Sequence, residues 1–218
     1  QELMVKLLDY DVYIFDCDGV ILDSNNLKTN AFRKVLIGEP EERIDELVKY
    51  HQENGGISRY EKFRHFYTHI KPHQNSEMQI KLALRRFGST VSKELLECNY
   101  IPGVINYIRQ INQNGSSCFI NSGSDEKELK EVFLKRDILN LFKKIFGSPS
   151  TKNDNNKKII ELIGSNNKCI VFGDSASDYF SAKEFNLDFV FVSGVSEWKN
   201  YSGEFLAEIK DFRSLIHQ

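Results

Sequence analysis

Apolar residues along the chain gather in short runs, each closed by a polar, turn-forming cluster. Val12–Phe15 ends in Asp16-Cys17-Asp18-Gly19, Cys118–Ile120 in Asn121–Ser124, Cys169–Phe172 in Gly173–Asp178, and Phe189–Val192 in Ser193-Gly194. Runs this short and this rich in aromatic and β-branched residues predict strands buried on both faces, as in a parallel sheet. Helical spacing marks Val104–Asn112, Glu126–Leu134, Lys157–Ile163 and Tyr179–Phe185 between them. The alternation predicts an α/β fold with a doubly wound parallel sheet, whose ligands collect beyond the carboxyl ends of the strands. All four polar clusters fall on that edge.

The spacing changes between the first two strands. From Ser24 to Asn99 the pattern is helical (Leu27–Leu36, Glu42–Gln52, Tyr60–Ile70, Glu77–Arg86), with no strand signal. A crossover does not need so many residues, so this stretch is expected to be an all-helical cap domain, 24–99, inserted into a core domain made of 1–23 and 100–218. Asp23-Ser24 and Ile101-Pro102-Gly103 are the expected hinges.

Composition narrows the possibilities further. Of 218 residues, 40% are hydrophobic and 28% charged, enough apolar material for a real core. The net charge of -2 leaves no basic excess for holding nucleic acid. No apolar run is long enough to cross a membrane, and no signal-peptide pattern is present. Cys17, Cys98, Cys118 and Cys169 form no C-x-x-C pair, which fits reduced thiols and a cytoplasmic location.

The chemistry is concentrated at the strand ends. Residues two apart on an extended segment point the same way, so Asp16 and Asp18 face one site. Asp174 and Asp178 bring two more acids from another strand end. Two like charges ~4 Å apart repel by roughly 4 kcal/mol even at an effective dielectric near 20. A divalent cation removes that cost, and an all-oxygen donor set favours Mg²⁺. Ser122 and the amides around Gly123 can donate to an anion, and Lys152 or Lys157 can supply a positive charge. Carboxylates, a hard metal, a hydroxyl and a lysine together suit phosphoryl transfer. His65, His69 and His73 recur every four residues, but Pro72 breaks the helix before His73 and no Cys or carboxylate completes a zinc site.

In these motifs the sequence resembles the haloacid dehalogenase-like (HAD) superfamily. Asp16-Cys-Asp-Gly-Val20, Ser122 after Cys118–Asn121, Lys152 in Ser150–Asp154 and Gly173–Asp178 match its four motifs in order, although the proline usual after the lysine is Asn153 here. The resemblance implies a HAD-like Rossmannoid core and the following chemistry. Asp16 attacks phosphorus to form an aspartyl-phosphate, and Asp18 acts as acid and then base. Mg²⁺ is held by the Asp16 carboxylate, the Asp18 main-chain carbonyl and Asp174, with Asp178 just outside the ligand sphere or bound through water. Ser122 and Lys152 steady the phosphoryl oxygens. Asp18 separates this chain from the dehalogenase and phosphonate-cleaving members, which lack an acid there.

The insert resembles the helical cap of the phosphoglycolate phosphatase and β-phosphoglucomutase branch. There Gly56-Ile-Ser-Arg59 is similar to a substrate-recognition loop, so Arg59 is expected to grip a substrate phosphate or carboxylate. Lys28 stands where the mutase has a histidine and is a further candidate for substrate binding. The resemblance thus implies a Mg²⁺-dependent phosphatase acting on a small-molecule phosphomonoester, such as a sugar phosphate. A sugar phosphomutase, or a binding protein without catalysis, is the alternative. A monomer is expected, with no nucleic-acid or membrane partner.

Overall fold

The computed structural model describes residues 7, 9–164 and 166–216, so 1–6 and 217–218 of the expected core segments lie outside it. Six strands, β1 (Val12–Phe15), β2 (Ser117–Asp125), β3 (Lys144–Ser148), β4 (Cys169–Gly173), β5 (Asp188–Val192) and β6 (Ala207–Ile209), form one sheet. Their order is β3-β2-β1-β4-β5-β6 and every pairing is parallel. This is the doubly wound arrangement, with its switch point beside β1. The register sets Phe15 opposite Ile120 and Phe172, so Asp16, Asn121 and Gly173 leave the centre of the sheet side by side.

Alternation along the strands sorts side chains into two cores. Tyr13, Phe15, Ile120 and Phe172 pack on one face, and Val12, Ile14, Phe119 and Val171 on the other. Cys17 keeps the phase of Phe15 and is buried in the first core, away from the acids that flank it. Burying each such aromatic or aliphatic side chain contributes about 1.5–3 kcal/mol. These two cores hold the central strand ends in fixed relative positions.

Between β1 and β2 the chain forms α1 (Asn25–Val35), α2 (Glu41–Glu53), α3 (Arg59–His65) with a π-turn over Phe66–Ile70, and α4 (Ser76–Glu97). Their shared core centres on Phe32, whose ring lies 5.3 Å from that of Phe63 and 4.7 Å from that of Phe87. The two strands of chain that enter and leave this insert pair with each other. Asp23 N–H donates to Asn99 O at 2.9 Å, and Ile101 N–H to Ile21 O at 2.9 Å. The remaining helices are α5 (Val104–Gln113), α6 (Glu126–Lys135), α7 (Lys152–Ile163) and α8 (Ala176–Glu184). No described helix is long and apolar enough to cross a membrane.

Several boundaries differ from the sequence reading. β2 continues through the polar cluster Asn121–Ser124 instead of turning there. α7 begins at Lys152 rather than Lys157, because Thr151 caps it in a reciprocal box with Asp154. α4 runs on to Glu97. β3 and β6 were not expected from the sequence, and β6, at one edge, is only three residues long.

Candidate active site

A cavity of ≈ 80 Å³ lies at the carboxyl edge of the sheet, floored by Asp16, Asp18, Gly123, Ser124 and Asp174 and roofed by residues of the insert. Asp16 follows β1 directly and is buried. Its Oδ1 accepts the Cys17 N–H at 2.7 Å, and its Oδ2 lies 3.2 Å from Lys152 Nζ. Lys152 reaches this point because it opens α7 with its side chain buried, whereas Lys157 one turn later is exposed. Lys152 also contacts the Asp178 carboxylate.

Asp178 has two jobs. One oxygen faces Lys152, and the other accepts the Ser175 N–H at 3.1 Å and the Ser175 hydroxyl at 2.6 Å, closing the first turn of α8. Asp174, at the end of β4, is fixed by Asn25, whose amide donates to its Oδ2 at 2.7 Å. Asp16, Asp174 and Asp178 together present oxygen atoms within 4.8 Å of one another.

Asp18 belongs to a separate arrangement. Its carboxylate accepts from Lys28 Nζ at 2.8 Å, Ser124 Oγ at 2.6 Å and Ser24 Oγ at 2.5 Å. The Ser122 hydroxyl accepts the Ser124 N–H at 3.1 Å, and Ser122 is buried without lining the cavity. Gly123 does line it, and the Gly56 carbonyl of the insert rests against it so closely that a Cβ there would lie 2.1 Å from that oxygen. Arg59 lines the cavity as well, but its Nη1 is 3.0 Å from Glu128 Oε2 on α6. His65 stacks on Tyr50 and His69, and His73 accepts the Asn75 N–H, so this stripe packs and caps.

The electrostatics separate the two acids of the first motif. Burial, then the charge of Asp178, push Asp16 above the ordinary carboxylate range while Lys152 pulls it back. Burial and the charge of Asp16 likewise push Asp174 well above that range. Burial also opposes the ionised form of Asp18, but the Lys28 charge and three hydrogen bonds overcome it and hold Asp18 at about 2. Four carboxylates here face two ammonium groups, Lys28 and Lys152. With all four ionised, the acids would exceed those two ammonium groups by two charges, the cost that raises Asp16 and Asp174, and an all-oxygen site of this kind fits one hard divalent cation.

Several cavity residues carry no motif: Asn25 on α1, His51 on α2, Lys62 on α3, and Glu197, with Thr29 of α1 hydrogen-bonded behind them to His51 and Glu197. Asn25 and Lys62 have one weak signal in sequence, helical spacing from Lys28 and Arg59; His51 and Glu197 have none. Lys62 is three residues after Arg59, and Asn25, Lys28 and Phe32 follow a similar step.

The fold has counterparts among known proteins. CbbY from Rhodobacter sphaeroides in complex with phosphate superposes with a TM-score of 0.75, at 16% identity over 94% of this chain and 96% of that one. The HAD-hydrolase YfnB from Bacillus subtilis, bound to magnesium, gives 0.70 at 17% identity, over 94% and 96%. The haloacid dehalogenase-like family protein SP0104 from Streptococcus pneumoniae gives 0.65 at 18%, over 91% and 93%. These likenesses establish the shared fold. No curated protein matches the sequence. The family model for haloacid dehalogenase-like hydrolases, however, matches residues 13–192. That span runs from the strand bearing Asp16 and Asp18 to the end of β5 and takes in all four acids and Lys152, and on it the chain belongs to the haloacid dehalogenase-like hydrolase family.

Proposed function

We propose that this hydrolase is a Mg²⁺-dependent phosphatase that cleaves a small phosphomonoester through an aspartyl-phosphate on Asp16. The observation that carries the reading is the division of the two first-motif acids. Asp16 sits in a buried cluster with Asp174, Asp178 and Lys152, and Asp18 stands apart in its own hydrogen-bonded pocket on the same cavity floor.

In this reading an Asp16 oxygen attacks phosphorus as the bond to the leaving oxygen breaks. Asp18 gives its proton to that oxygen, then takes one from the water that attacks the aspartyl-phosphate, releasing inorganic phosphate and restoring Asp16. Asp18 is ionised while Lys28 holds it, which suits the second step, and donating in the first requires its release from Lys28. Lys152 balances charge beside Asp16 and offers its ammonium to the transferring oxygens. Mg²⁺ would be held by Asp16, Asp174 and the Asp18 carbonyl, with Asp178 close by, and would supply positive charge to the phosphoryl group. The buried cluster of carboxylates supports that ion, as do the magnesium-bound YfnB and the phosphate-bound CbbY.

The insert, 24–99, serves in this reading as a cap on the core of 1–23 and 100–218. It excludes water and chooses the substrate, with Lys28 and Arg59 on its cavity side. A cavity of ≈ 80 Å³ favours a compact metabolite. The test is phosphate release from a panel of sugar, acid, nucleotide and amino-alcohol phosphates with and without Mg²⁺. Metal-dependent release by the native protein, reduced at least ~10³-fold in Asp16→Asn, is expected. Release that persists in Asp16→Asn overturns the covalent route.

A further inference from the structure

Three Lys and Arg side chains line the cavity, and two of them are neutralised by carboxylates: Lys28 by Asp18 at 2.8 Å and Arg59 by Glu128 at 3.0 Å. Lys62 is different. It is buried, lines the same cavity, and has no carboxylate within ion-pair distance among the described residues. Its partner is a neutral ring, with Nζ 2.8 Å from His51 Nδ1.

The hydrogen bonds beyond that ring run in one direction. The Thr29 hydroxyl donates to Glu197 Oε1 at 3.0 Å, so its oxygen accepts from His51 Nε2, 2.9 Å away. With Nε2 protonated, Nδ1 is left to accept a Lys62 N–H. Burial, then the Lys62 and Lys28 charges, keep His51 well below its ordinary range and therefore neutral. The chain thus leads from the Lys62 ammonium through His51 and Thr29 to the Glu197 carboxylate, whose other oxygen lies 3.6 Å from His51 Nε2. It orients the lysine without pairing it directly with a carboxylate. Burial and the nearby Lys28 charge lower Lys62 to about 7, as fits an ammonium that lacks its anion. Phe32, whose ring centroid is 5.9 Å from Nζ, and Phe87 line the cavity beside it.

We propose that Lys62, held by His51, Thr29 and Glu197, is a specificity-determining residue that binds a second anionic group on the substrate, a carboxylate or a second phosphate, apart from the phosphoryl group at Asp16. The inference rests on the phosphatase reading for its first group but not for its second. An anionic substrate gives the buried ammonium the partner it lacks, whereas a neutral one leaves its charge uncompensated.

The test uses three two-carbon phosphomonoesters that differ only at the far end: 2-hydroxyethyl phosphate, phosphoglycolate and ethylene glycol bisphosphate. The native protein is expected to favour one or both charged esters over the neutral one by about tenfold or more in kcat/KM, mostly through KM. Which charged ester leads distinguishes carboxylate from phosphate. Lys62→Met should shrink that ratio to about threefold or less, and Lys62→Arg should retain most of it. A native ratio near one, or a Lys62→Met variant that lowers all three esters equally, overturns the proposal. If none of the three esters is hydrolysed, they are not substrates, and the phosphatase reading stands or falls by the wider panel. Lys62 is then judged by calorimetric binding of the same esters to Asp16→Asn with Mg²⁺ present. A preference for charged esters that is lost in Asp16→Asn/Lys62→Met supports it, and equal or undetectable binding of all three overturns it.

Discussion

Gly56 of the insert and Gly123 of β2 approach each other backbone to backbone, and Gly123→Ala tests whether turnover needs that closeness. A Cβ on Gly123 would lie 2.1 Å from the Gly56 carbonyl oxygen and 2.7 Å from its carbonyl carbon. Non-bonded heavy atoms settle at about 3.5–4.0 Å, so the insert loop has to lift by more than ~1 Å. Both opposing atoms are main chain, so no side-chain rotation relieves the clash. Gly56 has φ +76, and a Cβ there would itself meet Ser177 Oγ at 2.1 Å, so the loop has little room to shift along the surface. Lifting it draws Arg59 from Glu128 and the Tyr60 hydroxyl from Asp125, contacts now at 3.0 Å and 2.9 Å.

A misplacement of ~1 Å at a reacting site costs on the order of 10²-fold in rate, or about 2.7 kcal/mol of barrier. We therefore expect kcat/KM of Gly123→Ala to fall roughly 100-fold against the best phosphomonoester. The sheet beneath is untouched. Overpacking at this seam costs about 1–3 kcal/mol, and each kcal/mol lowers the Tm by about 2–4 °C in a chain of this size. The assay is steady-state phosphate release alongside thermal unfolding and far-UV circular dichroism. A folded Gly123→Ala protein with kcat/KM within about threefold of the native value would refute the link between this contact and turnover.

Two further outcomes follow from the charges. Asp16 and Asp174 have folded pKa values above their unfolded ones, so metal-free protein gains stability from them at low pH and loses it as pH rises through those values. Mg²⁺ at ~100 times its Kd should then add about 2.7 kcal/mol near pH 8 and less at pH 5, where protons compete for the same oxygens. Calorimetric melting with and without EDTA reads this directly, and a Mg²⁺ shift that is larger at pH 5 contradicts it. Asp18 has the opposite sign: held at about 2, it contributes stability above its unfolded value that is lost as pH falls through about 2. Lys28→Met strands that carboxylate, and should cost about 3 kcal/mol in urea unfolding at pH 7 and less below pH 4. Unchanged stability at pH 7 would mean that the pair contributes little.

What could be read from the sequence depended on whether one residue's environment is set by its neighbours in the chain. β1, β2, β4 and β5 announce themselves because strands covered on both faces need unbroken apolar runs. β3 and β6 do not, since Lys144 and Glu208 interrupt short edge segments. The end of β2 reads as a turn because Asn121 and Ser122 are polar. Asn121 is nevertheless buried, its amide donating to Lys152 O and to Asn156 Oδ1, each at 2.8 Å. The start of α7 was legible in Thr151-x-x-Asp154, a capping signal that the run of Asn and Lys after it obscures. Asp16, Asp18 and Asp174 could be named because strand ends converge in this topology, and Lys152 only through its place in the third motif of the family resemblance. Lys62, His51 and Glu197 could not, because their meeting depends on how the insert's helices pack against one another and against the core.

That packing has a chemical consequence. Around the cavity the insert contributes donors and the core contributes carboxylates: Lys28 to Asp18, Asn25 to Asp174, Tyr60 to Asp125, Arg59 to Glu128 and Thr29 to Glu197. The insert is thus held down without a substrate, its cations already matched by protein anions. On the proposed reaction, an entering anionic substrate competes with Asp18 for Lys28 and with Glu128 for Arg59 instead of meeting vacant donors, so part of its attraction is cancelled by the pairs it breaks. Exchange of this kind binds ground state and product weakly. It favours whichever species places its charge best against Lys152. Charge is most widely spread over the phosphoryl oxygens in the transition state, so that species gains most from the exchange. Inorganic phosphate, once formed, is released as Asp18 and Glu128 recover their partners. Lys62 stands outside this exchange because it has no carboxylate to give up. It is therefore left to pair with a second anionic group on the proposed substrate.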